Sequence, residues 1–125
     1  MSTTDYIVIA LKIIVALSII NVWVIQPNKK TKWRGGNADN IVEEFKAYGL
    51  SKSFCYGIGF LKVSLALLLL VSIKFNSVTL LASSGLALLL LGSIAMHIKI
   101  KDPLYMSFPA FLFVVLNVVI IALTR

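Results

Sequence analysis

The chain has 125 residues, of which 59% are hydrophobic and 14% are charged, and its formal net charge is +7. Soluble domains contain about 45–50% apolar and about 25% charged residues, so this composition excludes an ordinary soluble domain and indicates a protein of the lipid bilayer. Since each crossing needs about 20 apolar residues, the length allows four crossings with short connections. The sequence has no long basic block, so we expect the positive charge to face anionic lipid headgroups and no nucleic acid to bind.

The first apolar run covers residues 6–26 and is interrupted by Lys12, Ser18 and Asn21. It is long enough to cross a bilayer, and Pro27 ends it. No Lys or Arg precedes the run and no small-residue cleavage site follows it, so we expect a permanent helix and not a signal peptide.

A short amphipathic helix is predicted over residues 39–49, inside the long polar loop that follows the first run. Asp39 or Asn40 can cap its first turn, and Gly49 can end it. Its apolar stripe at helical spacing consists of Ile41, Phe45 and Tyr48. We expect this helix to tuck partly back among the spanning helices; the alternative is that it lies flat on the membrane surface.

Three further apolar runs cover residues 54–73, 78–98 and 104–123. Their connections are only a few residues long, which forces neighbouring helices to be antiparallel. The sequence therefore predicts an all-α fold, a polytopic membrane four-helix bundle that forms a single membrane domain over residues 1–125.

Basic residues cluster at one end of the predicted spans. The first and third connections and their flanks hold Lys29, Lys30, Lys32, Arg34, Lys46, Lys52, Lys99 and Lys101. The opposite end has Lys74, Arg125 and the terminal amine. By the positive-inside rule, the long loop is expected in the cytoplasm and both termini on the outer side of the membrane.

Polar side chains inside the spans are the best candidates for function, because a central lysine costs about 2.5–3.5 kcal/mol to insert. At a helical rise of about 1.5 Å per residue, a first predicted layer has Asn21 and Ser93 roughly 8 Å and Lys62 roughly 12 Å from the end that carries the long loop. A second predicted layer, roughly 20 Å deep, consists of Lys12, Asn117 and Ser83 or Ser84.

Lys62 is the strongest single candidate. Gly59 and Ala66 lie on the same helical face, and small residues at that spacing invite close helix approach and turn the lysine inward. We expect its ammonium to pair with Glu43 or Glu44 of the loop helix and so to hold the loop on the bundle. The alternative is that Lys62 snorkels to the near interface, which its long stem permits.

The remaining polar groups carry weaker predictions. Lys12 is expected to snorkel to the outer headgroups, and Asn117 and the run Ser83, Ser84 and Gly85 are expected to form contacts between helices. His97 has no cluster of further ligands in the sequence, so we expect no metal there; the alternative is a proton-handling group at the mouth of a site. Cys55 is the one cysteine of the chain, which excludes intramolecular disulfide chemistry and favours a small buried side chain.

The order of these parts is similar to that of a known family. The motifs that carry the similarity are YGLSKSF after the loop helix, YGIGFLKVSLALLLL in the second span and GSIAMHIKIKDP at the end of the third. The chain resembles the DoxX-like family of small four-helix membrane proteins at Phe45, Tyr48, Gly49, Leu50, Gly59, Lys62, Ala66 and His97. The resemblance implies a bacterial inner-membrane protein and a mixed set of functions, from quinone-linked redox subunits to assembly chaperones. Many members carry an acidic residue where Lys62 stands, so acid-dependent chemistry is not carried over.

Two functions remain open. The first is a non-catalytic subunit or assembly factor that binds another membrane protein or a second copy, since the sequence contains no catalytic motif. The second is a quinone- or lipid-binding redox subunit with a pocket beneath the loop helix, because a cationic rim over an apolar interior suits an amphipathic headgroup. The predicted pocket residues are Lys62, Glu43, Glu44, His97, Trp33, Arg34 and Asn21. A proton-coupled multidrug exporter is disfavoured because the four predicted spans contain no Asp or Glu.

Overall fold

The computed structural model describes residues 2–25, 27–28 and 34–124, without the side chain of Asn37. Regular structure over these ranges is helical throughout. The α-helices are α1 (Thr3–Ile20), α2 (Ile41–Ala47), α3 (Lys52–Val71), α4 (Thr79–Lys99) and α5 (Phe108–Thr124). A π-helical turn, Asn21–Ile25, continues α1, and short 3-10 turns lie ahead of α2, α4 and α5 at Gly35–Asn37, Asn76–Val78 and Leu104–Ser107.

Within the described ranges, four helical segments are long and apolar enough to cross a membrane. These segments are Thr3–Ile25, Lys52–Val71, Asn76–Lys99 and Leu104–Thr124. The prediction of an all-helical membrane protein with four spanning helices is therefore confirmed.

Side-chain caps fix where three of the helices begin. Ser2 and Asp5 form a capping box at the start of α1. Asn40 caps α2 through a 2.8 Å hydrogen bond from the third backbone N–H of the helix, and Ser51 caps α3 in the same way. At the other end of α2, Gly49 adopts a left-handed φ of 83° that would strain an L side chain, and the chain turns there toward α3.

The four long helices close around a core of small and branched side chains. α1 packs against α3 and α5, and α4 packs against the same two helices. Fully buried side chains in this core include Val15, Ala16, Ala66, Leu69, Ala82, Leu86 and Ile120. The alanines allow close helix approach, which favours association where lipid is as apolar as the helix surface.

The short helix α2 packs onto the loop end of the long helices. Ile41, Phe45 and Tyr48 are buried on one face of α2 and pack with Cys55 of α3. Trp23, in the π turn, meets the edge of the Phe45 ring with centroids 5.7 Å apart. α2 therefore covers a space between the long helices, and the candidate site lies in that space.

Lys12 is buried near the opposite end of the helices, with only 2% of its surface exposed, so the prediction that it snorkels to the outer headgroups is wrong. Its Nζ donates to the Ser72 carbonyl oxygen (3.0 Å), to Asn76 Oδ1 (3.3 Å) and to Thr79 Oγ1 (2.9 Å). The Ser72 carbonyl lies at the end of α3, where backbone acceptors lack helical partners and therefore attract a cation. Lys12 thus joins α1 to the connection between α3 and α4.

The predicted second polar layer divides into two separate hydrogen-bonded groups. Asn117 does not contact the Lys12 group: its Oδ1 accepts a 2.9 Å hydrogen bond from Ser83 Oγ, and its Nδ2 donates to the Phe113 carbonyl oxygen at 2.7 Å. Ser84 is half-buried, and its neighbour Ser83 makes the contact between α4 and α5.

Candidate ligand cavity beneath the loop helix

A cavity of about 500 Å³ lies beneath α2, between α1, α4 and α5. Its apolar walls include Ile19, Trp23, Phe45, Leu90, Met106 and Phe113. Its polar side chains include Asn21, Arg34, Glu44, Tyr48, Lys62, Ser93 and His97. This volume falls in the range of about 300–1,000 Å³ that is typical of small-molecule sites.

Most of the residues predicted to form a binding site line this cavity, namely Lys62, Glu44, His97, Arg34 and Asn21. Glu43 does not: it is exposed, because successive side chains on a helix point about 100° apart and Glu44 takes the inward position. Trp33, the last predicted member, lies outside the described residues.

Lys62 points inward and is 7% exposed, so it does not snorkel to the interface. Its Nζ donates to Ser93 Oγ at 3.0 Å and lies 5.5 Å from the centre of the Trp23 ring. Across the described part of the chain, no ion pair joins Lys62 to Glu43 or Glu44, so the predicted pairing is wrong. The reason is that Glu44 is engaged by its own neighbours. An ammonium has three N–H donors, and among the described residues Lys62 has one hydrogen-bond acceptor.

Glu44 is held by three groups of the loop. Its Oε2 accepts hydrogen bonds from the Tyr48 hydroxyl (2.6 Å) and from the Gly35 N–H (2.9 Å). Its Oε1 lies 3.5 Å from Arg34 Nη1, which compensates the charge. Burial, and then the Glu44 carboxylate, raise the pKa of the Tyr48 hydroxyl well above its ordinary value, so the phenol stays protonated and donates a hydrogen bond to Glu44.

Gly35 is required by this arrangement. A Cβ at that position would lie 2.7 Å from the Tyr48 hydroxyl oxygen, which is closer than real side chains approach. The absence of a side chain at Gly35 therefore lets the backbone N–H reach Glu44.

His97 and Asp102 extend the network to the connection after α4. Asp102 Oδ2 lies 2.8 Å from His97 Nδ1, and Asp102 Oδ1 accepts a 3.2 Å hydrogen bond from the Gly36 N–H. His97 Nε2 lies 3.5 Å from the Tyr48 hydroxyl oxygen. Lys99 Nζ donates to the Tyr48 carbonyl oxygen at 3.0 Å. Loop and α4 are thus tied together by polar contacts at the cavity's loop end.

Tyr48 and Asp102 were not predicted as members of this site, and Ser93 was predicted only to share a polar layer with Lys62. Asp102 returns to His97 because Lys101 adopts a left-handed φ of 59°, which folds the connection back on the end of α4. A weak signal was available for Tyr48, since a buried tyrosine on an apolar stripe needs a partner for its hydroxyl. Ser93 carries no sequence signal beyond its depth in the span.

The cavity combines apolar walls with several polar side chains, which suits a molecule with an apolar body and a polar head. No cluster of three or more His, Cys, Asp or Glu residues that could hold a metal occurs in ranges 2–25, 27–28 and 34–124. Among the polar side chains, Lys62 offers N–H donors, whereas Tyr48 and His97 are engaged with carboxylates.

The fold defines the class of protein, a small helical membrane protein with four candidate crossings in its described residues. The sequence model of the DoxX-like family matches residues 34–119, more than half of the chain, so the chain belongs to the DoxX-like family. The match includes Lys62, His97 and Asp102, whereas Trp23 precedes it. A search of curated proteins and a search of solved structures each gave no match.

Proposed function

We propose that this DoxX-like protein binds an amphipathic membrane molecule, of the quinone class, with the polar head beside Lys62. The observation that carries the proposal is that Lys62 is 7% exposed, lines a cavity of about 500 Å³ and contacts one acceptor, Ser93, within the described residues. Burying a charge is costly unless acceptors surround it. A ligand that presents acceptor oxygens would supply the contacts that the protein does not.

A quinone fits the remaining groups better than a phospholipid does. Its carbonyl oxygens accept hydrogen bonds and its planar ring suits the aromatic walls Trp23, Phe45 and Phe113. A phosphate headgroup would need several charged donors, and Arg34 is already engaged with Glu44. A bound quinone carries electrons and protons for a membrane complex, and the residues of this chain hold and orient it.

The chain itself supplies no reactive group in this proposal, so it acts as a non-catalytic, ligand-holding subunit of a membrane complex. We place it in the bacterial inner membrane as a four-helix bundle, with the long loop in the cytoplasm and both termini outside. The basic residues clustered at the loop end support this orientation.

The second candidate function is a subunit or assembly factor that works only by binding another membrane protein or a second copy. This candidate is favoured by two glycines on the outer faces of spanning helices, Gly57 and Gly92. At both positions there is open space where a side chain would stand. Small residues on an outer face allow another helix to approach closely.

Substitution of Lys62 separates the two functions. Lys62→Met keeps the length and apolar stem of the side chain, and Lys74→Met, at an exposed lysine of the α3–α4 connection, is the matched control. Ubiquinone binding is measured in lipid nanodiscs by quenching of tryptophan fluorescence, and folding by circular dichroism.

We expect Lys62→Met to remove binding while the helix content stays unchanged, and Lys74→Met to bind as the original chain does. Unchanged ubiquinone binding in Lys62→Met, or no binding by the original chain, would overturn the proposal. Loss of a co-purifying membrane partner in Gly57→Leu or Gly92→Leu, with no ubiquinone bound by any variant, would support the second candidate.

A further inference from the structure

The two nitrogens of the His97 ring have different partners. Asp102 Oδ2 lies 2.8 Å from Nδ1, and the same carboxylate accepts from the Gly36 N–H at 3.2 and 3.4 Å. Because a carboxylate only accepts hydrogen bonds, it selects the form of the ring that carries a hydrogen on Nδ1. In the neutral ring, Nε2 then keeps a lone pair and acts as an acceptor.

This acceptor nitrogen has no donor of its own in the described part of the chain. The Tyr48 hydroxyl, at 3.5 Å, is the one donor among the described residues within hydrogen-bond distance of Nε2. A hydroxyl has a single hydrogen to donate, and the 2.6 Å contact with Glu44 Oε2 takes it. His97 is buried and lines the cavity, so a donor for Nε2 has to come from a molecule in the cavity.

The acceptor on His97 lies near the donor on Lys62. Ser93, which accepts from Lys62 Nζ at 3.0 Å, precedes His97 by four residues on α4, or about 6 Å along the helix. All three side chains line the same cavity. The cavity therefore presents a hydrogen-bond donor and a hydrogen-bond acceptor within reach of one aromatic head group.

We propose that the cavity binds the reduced, hydroxyl-bearing form of its ligand, a quinol, more tightly than the quinone, and this inference rests on the proposed function. One quinol hydroxyl donates to His97 Nε2, and the oxygen at the opposite end of the ring accepts from Lys62 Nζ. The oxygens of a quinone are carbonyls, which only accept. A bound quinone therefore serves Lys62 but leaves Nε2 without a donor, and a buried acceptor that lacks its donor weakens binding.

The experiment is an anaerobic redox titration of ubiquinone at one fixed pH, in nanodiscs that hold the full chain in molar excess over ubiquinone. Empty nanodiscs are the reference. Tighter binding of the quinol raises the midpoint potential of the ubiquinone couple, and a tenfold preference corresponds to about 30 mV for this two-electron couple. We expect the original chain to raise the midpoint potential by about 30 mV or more.

Variants of the α4 end assign this shift to the His97 nitrogen. His97→Phe keeps a ring but removes both nitrogens, so the shift should disappear while ubiquinone still quenches tryptophan fluorescence through its contact with Lys62. His97→Gln retains an amide oxygen that can accept a hydrogen bond, and it should keep part of the shift. Ile98→Phe, at the neighbouring position that is 62% exposed, is the control and should keep all of it.

The outcomes distinguish this inference from the proposed function. An unchanged or lowered midpoint potential with the original chain, together with intact Lys62-dependent quenching, would overturn the inference alone. A shift that persists in full in His97→Phe would place the preference on another group and would also overturn the inference alone. No quenching by ubiquinone in the original chain would overturn the proposed function and, with it, the inference.

Discussion

Lys12 and Lys62 are both buried lysines on spanning helices, at opposite ends of the molecule, and their surroundings differ. Lys12 Nζ has three protein acceptors, Ser72, Asn76 and Thr79, so each of its N–H donors has a partner. Lys62 Nζ has Ser93 and the face of Trp23, and it borders a cavity. Lys12 therefore has a structural role, whereas Lys62 has N–H donors that no acceptor among the described residues occupies. Burial alone would not tell the two roles apart; the number of acceptors does.

Of the variants considered, Lys12→Met should have the largest effect on the stability of the fold. Lys12→Met leaves the Ser72 carbonyl and the side chains of Asn76 and Thr79 without their cation, so we expect unfolding to become easier by about 2–3 kcal/mol. The measurement is reversible unfolding in mixed detergent, followed by circular dichroism. A loss below about 0.5 kcal/mol would contradict a structural role for Lys12.

Substitution of Glu44 should have the next largest effect on stability, and the loss of stability should be confined to α2. Glu44→Ala leaves the Arg34 guanidinium, the Tyr48 hydroxyl and the Gly35 N–H without an acceptor, which weakens the docking of α2 by about 2 kcal/mol. Hydrogen exchange over Ile41–Ala47 should accelerate while exchange in α4 stays unchanged. Glu43→Ala, at the exposed neighbouring position, is the control; equal acceleration in both variants would show that the Glu44 contacts do not hold α2.

A glycine pair on α3 tests the wall of the cavity. Gly59→Ala forces the Trp23 ring to shift, with an expected cost of about 1 kcal/mol, whereas Gly57→Ala meets open space and should be neutral or slightly stabilising. Trp33→Phe in both variants leaves Trp23 as the reporter tryptophan. The emission maximum should change in Gly59→Ala and not in Gly57→Ala, and identical spectra would count against close packing of Trp23 on α3.

Lys62→Met should have the smallest effect on stability, within about 0.5 kcal/mol of the original chain, because replacing an incompletely paired buried charge by an apolar side chain is often neutral. Ser93 keeps a second partner, the Leu89 carbonyl at 3.3 Å. The same unfolding measurement as for Lys12→Met gives the comparison directly. A loss as large as that of Lys12→Met would make both lysines structural and remove the contrast.

The sequence predicted best those features that depend on one short segment of the chain, such as the position of a crossing or of a helix cap. Hydropathy alone located the four crossings, and the cap of α2 could be narrowed to Asp39 or Asn40 because capping depends on a few neighbouring residues. The partners of Lys12 could not be found, since one of them is a backbone carbonyl whose availability depends on where α3 ends. The choice between Glu43 and Glu44 depends on the rotation of α2 against the long helices, and the approach of Asp102 to His97 depends on the left-handed turn at Lys101.

The π-helical turn at Asn21–Ile25 has a further consequence. A π turn takes in more residues than an α turn, so it resets the angle at which every later side chain of the first span leaves the axis. Deleting Val22 would change the angle at which Trp23 leaves the helix axis and carry the indole away from both Gly59 and Lys62. The separation of the cavity from the surrounding lipid thus depends on the local winding of one helix, and a change in chain length by a single residue is expected to open it.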